Sequence, residues 1–127
     1  MSPADHAAPA PDSVELLGLL SYIYLENNRP EKAAVLLAAL ETLGHADARR
    51  RVSLALAQLR SGKPESALAT LERAAMRGDV DAPFHLVRAQ VLLALGRRDE
   101  AAAAMRAYVA MRAATPPTDT AALPASR

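Results

Sequence analysis

Three histidines, fourteen acidic residues and no cysteine are the raw material for chemistry in this 127-residue chain, and their spacing assembles no reactive site. His6, His45 and His85 stand far apart, without the short intervals that let imidazoles share a metal ion. Ser53, Ser61 and Ser66 lack the glycine-flanked turn of an activated serine. Glu31, Glu65 and the pair Asp99-Glu100 fall in the first turn of expected helices, where negative charge offsets the helix dipole. The most basic run, Arg49-Arg50-Arg51, has no glycine-rich loop beside it to cradle a phosphate, and reads as a solvated helix face or a partner-facing rim. The expectation is a protein that is not an enzyme, with no catalytic residue, no cofactor and no metal.

Bulk properties narrow the classes further. Lys+Arg number 15 and Asp+Glu 14, a formal net charge of +1, which leaves no electrostatic footprint for nucleic acid. No apolar run approaches the ~20 residues needed to span a bilayer, so membrane insertion is not expected. Met1 to Asp12 lack the basic start and apolar stretch of a secretory signal, which makes a cytoplasmic location the default. Aromatic residues make up only 3%, and alanine and leucine dominate the apolar half, favouring close helix packing over a β sandwich.

The elements emerge from one interval. Ala33, Ala67 and Ala101 are separated by 34 residues, as are Asn28, Gly62 and Gly96 before them and Leu37, Leu71 and Met105 after them. Two helices per 34-residue period is the signature of the tetratricopeptide repeat, a helix–turn–helix unit that stacks into a solenoid. The same register places Ser13, Asp47 and Asp81 as helix N-caps, Gly44 and Gly78 at the ends of second helices, and Pro30 and Pro64 at the first helical position. The fold class is therefore all-α, a three-repeat superhelix of six main helices. Its repeats are expected at about 14–47, 48–81 and 82–114 within a domain of residues 13–114. Residues 1–12 and the Pro/Thr/Ala-rich 115–127 are expected to be disordered tails.

First helices build the inner face of such arrays. By register that face comprises Gly18, Tyr22 and Leu25, then Val52, Leu56 and Leu59, then Leu86, Gln90 and Leu93. Such a mostly apolar groove suits an amphipathic helix or an extended apolar segment, and lacks the lysine, arginine and asparagine set that clamps an acidic carboxyl terminus. The structural alternative is that several of these leucines only pack helix against helix. Repeat arrays usually finish with a polar-faced capping helix, but Pro116, Pro117 and Pro124 follow Thr115 too closely to draw one. Met105, Tyr108, Val109 and Met111 are then either an uncovered surface awaiting a partner or the ragged end of a short array.

Several local runs resemble the small tetratricopeptide chaperones of bacterial type III secretion systems, and most of all their YscY-type member. They are Leu36-Leu37-Ala38-Ala39-Leu40-Glu41-Thr42-Leu43 after Glu31-Lys32-Ala33; Arg49-Arg50-Arg51; and Leu86-Val87-Arg88-Ala89-Gln90 through Leu95-Gly96 to Ala107-Tyr108-Val109. The resemblance covers residues 14–112. It implies a cytoplasmic chaperone that forms a heterodimer with an exported YscX-type protein and docks it at the cytosolic part of the export gate. It leaves open whether the chaperone alone is a monomer or a homodimer. Tyr22, Leu25, Val52, Leu56, Leu59, Leu86, Gln90, Leu93, Met105 and Tyr108 are the residues expected to meet the partner. The alternatives are a generic repeat adaptor joining two stable proteins, and a chaperone of another type III client, a needle subunit or a translocator.

Overall fold

Among the described residues, five left-handed ones fall where the period requires them: Asn28 at φ 59°, Gly44 at 82°, Gly62 at 80°, Gly78 at 83° and Gly96 at 78°. An added Cβ at any of these four glycines would meet open space, so what selects glycine is the backbone angle and not crowding. Each turn closes with the same long-range bond, in which the amide after the left-handed residue donates back to the last turn of the helix. Arg29 donates to Tyr24 O, Lys63 to Gln58 O and Arg97 to Leu92 O, at 2.7, 2.9 and 2.9 Å; His45 and Asp79 do the same after second helices.

The computed structural model describes residues 11–114. Six helices follow in order: α1 (Pro11–Glu26), α2 (Pro30–Thr42), α3 (Ala48–Arg60), α4 (Pro64–Met76), α5 (Ala82–Ala94) and α6 (Arg98–Ala114). No strand occurs among the described residues. Asp47 and Asp81 cap α3 and α5, their carboxylates accepting from Arg50 N at 2.8 Å and Phe84 N at 3.2 Å. Ser13 does not cap its helix, because α1 already begins at Pro11, a residue suited to a first turn whose amides lack partners. Pro11 and Asp12 thus belong to α1 and not to a tail. His6 and Thr115, with the prolines after it, lie outside the described residues.

Helices pair as α1–α2, α3–α4 and α5–α6, while α2 packs on α3 and α4 on α5. The period's alanines sit at the crossings, with Ala33 and Ala67 0% exposed and Ala101 7%. Ala67→Leu is therefore expected to destabilise by about 1–3 kcal/mol through overpacking. Ser61→Ala removes only a half-buried hydroxyl bonded to Ala57 O, and should cost well under half as much. Urea denaturation of both variants checks the register; equal losses would discredit it.

Exposure rises in the third unit at equivalent positions. Leu37 and Leu71 are 2% and 1% exposed, but their mate Met105 is 40% exposed. Leu25 is 8% exposed, Leu59 half-buried and Leu93 61% exposed. The side chains are alike; what differs is a following unit to cover them, and no described helix follows α6.

One charged cluster ties the first unit to the second. The Arg51 side chain is only 9% exposed and lies between Glu41 of α2, with Nε 3.3 Å from Oε2, and Asp79 before α5, with Nη1 2.9 Å from Oδ2. The Nε contact is close enough to pair charges but is not aligned as a hydrogen bond. Arg73 of α4 reaches Glu41 at 3.2 Å. Arg51 is thus neither a solvated face nor a rim, correcting the reading of the basic run. Its burial is a tertiary matter, set by acids distant in sequence.

Candidate partner-binding groove

Exposed and half-buried residues of the first helices line up as three stripes. On α1 they are Glu15, Leu19 and Tyr22; on α3, Arg49, Ser53, Leu56 and Arg60; on α5, Leu86, Gln90 and Leu93. Each follows the three-or-four spacing that keeps side chains on one helical face. The inner-face residues expected from register do not all reach this surface. Leu25 and Val52, 8% and 7% exposed, sit in core clusters, so a docked segment would touch only their edges. Leu59 is half-buried against the central core, as is Leu56 at the core's margin, and Gly18 and Leu86 are also half-buried. Tyr22 and Leu93 stand open at 48% and 61%, with Gln90 exposed beside them.

The stripes enclose two different environments. Between α3 and α5 the helices touch, and Phe84 (4% exposed) packs with Val52, Val87 and Val91 to seal the seam. Between α1 and α3 the helices stand apart around a cleft of about 500 Å³. Gly18 and Tyr22 form one wall, and Arg49, Arg50 and Ser53 the other. The Arg49 guanidinium lies 5.6 Å from the centre of the Tyr22 ring, a cation–π contact. The groove is therefore polar at the first junction and apolar at the second.

The sequence reading missed Leu19, Ser53, Arg49 and Arg60 as inner-face residues, although the period already held the signal: Leu19 and Ser53 are 34 apart, as are Tyr22 and Leu56. It also missed the outer face of α1, where Leu16 and Ile23 are 63% and 43% exposed. The doublets Leu16-Leu17 and Leu19-Leu20 carry that signal, since adjacent helical residues diverge and one apolar stripe cannot hold both.

On α6 a second surface brings together Ala102, Met105, Val109 and Ala110 around a shallow depression of about 450 Å³. Tyr108 points elsewhere, its hydroxyl 3.3 Å from Arg112 Nη1 and its ring under that guanidinium. His45 lies in the α2–α3 turn, and His85 packs edge-to-face on Phe84 at 5.2 Å. Titratable groups with displaced ionisation are Arg97 and Glu100 at the start of α6. The hydrogen bond from Arg97 lowers the Glu100 carboxyl below its usual range, and both side chains are exposed to solvent. This is helix-end charge pairing, not acid–base chemistry. Among the described residues, no helix is long and apolar enough to cross a membrane.

Comparison with known proteins returns a family and a set of solved structures. The sequence profile of the tetratricopeptide repeat matches residues 52–117. No curated protein matches the chain. Structures of PcrH are similar to it at 27% identity and a TM-score of 0.77. The structure of PcrH from Pseudomonas aeruginosa covers 85% of this chain and 82% of its own. Two others hold PcrH in complex with the chaperone-binding regions of PopB and PopD, each covering 85% of this chain and 87% and 81% of theirs.

Proposed function

The chain belongs to the tetratricopeptide repeat family, and from that premise we propose that it is a type III secretion chaperone which shields a segment of an exported client along its inner face. One observation carries this reading. Over 85% of its length the chain is similar to PcrH, a protein whose solved complexes contain the chaperone-binding regions of PopB and PopD. A client of that class is better supported than the YscX-type protein implied by local sequence runs, because the likeness extends across the whole helical array. The groove residues fit the task. Leu56, Leu86 and Leu93 offer apolar contact flanked by Tyr22 and Gln90, while Leu25, Val52 and Leu59 supply the floor beneath them. Met105 on α6 adds apolar surface at the open end, with Tyr108 nearby.

The chaperone acts in the cytoplasm, forms a heterodimer with its client and delivers it to the cytosolic part of the export gate. Its contribution is physical: apolar segments of the client lie against leucines and not against other copies of the client. Purification of the tagged chain from its native cell should recover a small exported protein in stoichiometric amount. Recovery of two stable, non-exported proteins together would replace this reading with an adaptor.

A further inference from the structure

Arg50 and Phe84 occupy the same place in successive units, 34 residues apart, each on the first turn of a first helix. Phe84 fills the seam between α3 and α5 with a ring. Arg50 faces the seam between α1 and α3 with a guanidinium, and that seam is open. Nη1 of Arg50 donates to His45 O at 2.8 Å. The rest of the group lies under Gly18, where an added Cβ would stand 2.7 Å from Nη2 and 3.2 Å from Nε. The equivalent positions to Gly18 are Val52 and Leu86, so the side chain is missing only where the guanidinium needs the room. Arg49, held on Tyr22, brings a second cation to the same wall. Among the described residues neither arginine forms an ion pair.

A half-buried guanidinium with unused donors is stabilised by an anion that reaches it. Glu15 and Asp47 also line the cleft, and the Asp47 carboxylate is engaged by the Arg50 backbone amide. The formal charges of this lining cancel, so what favours an added carboxylate is the set of Arg50 donors left without an acceptor. We infer that the cleft between α1 and α3 is a socket for a single aspartate or glutamate side chain projecting from the client segment. Arg50 supplies the charge-assisted hydrogen bonds and Arg49 closes over the carboxylate from the Tyr22 ring. The inference rests on the client lying along this face, and adds to that reading a requirement on the client: an acidic residue beside its apolar anchors.

The test uses the full chain, labelled with nitrogen-15, and blocked pentapeptides with leucine at both ends and glutamate, glutamine or lysine at the centre. Shifts of the Gly18 and Ser53 amides and of Arg50 Nε–H report occupancy. The glutamate peptide should bind at least about tenfold tighter than the glutamine peptide, as expected for hydrogen bonds to a charged group. The gap should narrow as salt is raised. Arg50→Gln should remove the preference, and so should Gly18→Ala, which keeps both charges but displaces the guanidinium. Circular dichroism of each variant checks that the helices persist. Equal binding of the glutamate and glutamine peptides, or no shift at these three positions with any peptide, overturns the socket. Leu56→Arg in the same titration and in client capture separates the two ideas. If it weakens client capture while peptides show no charge preference, the groove survives without the socket; if capture is undiminished, both fall.

Discussion

A chain carrying Leu56→Arg should lose client binding by a hundredfold or more while keeping its helices. Leu56 lies on the open stripe of α3, midway along the groove, between the polar first junction and the apolar second. A client side chain lodged there would face a guanidinium and strand it without a partner. A central anchor lost in this way costs about 3 kcal/mol, roughly a hundredfold in affinity. The free chain suffers less, because Leu56 is only half-buried and the stem of arginine can lie along the core's margin while its head reaches water. Arginine is also a good helix former. Capture of the client by wild type and variant, beside circular dichroism, gives the answer. Full capture by a folded variant would move the client site to the outer face of α1 or to the Met105 surface.

Arg51→Ala should destabilise the isolated chain by about 3 kcal/mol, the low end of what breaking a buried ion pair costs. The low end applies because Glu41 and Asp79 keep 21% and 20% of their side chains in water. Removing the cation leaves two carboxylates facing each other across the vacated site and cuts a tie between α2, α3 and the turn before α5. Arg49→Ala, at the exposed start of the α3 stripe, is the matched control and should cost under about 1 kcal/mol. Chemical denaturation measures both. Similar losses for the two arginines would mean that the cluster contributes no more than surface charge.

That contrast marks the boundary of what the sequence carried. Three consecutive arginines look alike in a linear reading, yet a helix advances each by about 100°. Arg49 comes to rest on Tyr22, Arg50 under Gly18, and Arg51 in the core between Glu41 and Asp79. Only the last of these fates depends on acids far away in the chain, and no local pattern announces it. The register, by contrast, was legible because it is written in backbone requirements: Asn28 and the glycines adopt the left-handed angles their positions called for. Caps were legible at Asp47 and Asp81, where an acceptor stands directly before the helix. Ser13 misled because Pro11 opens the helix a few residues earlier. Leu25 and Val52, expected on the inner face, are buried in the core. Register says which helix a residue shares, but the tilt between neighbouring helices decides whether it meets solvent.

The rise in exposure from Leu25 through Leu59 to Leu93, and from the covered Leu37 and Leu71 to Met105, carries a lesson for protein engineering. The open surface around Leu93 and Met105 offers the chemistry of the inner seams, so it is a ready-made joint for modular extension. A fourth 34-residue module built on the second unit and grafted after Ala114 would find the side chains it needs already in place. Such a chimaera would lengthen the inner groove by one module without redesign of the scaffold, turning a natural array into a ruler of adjustable length.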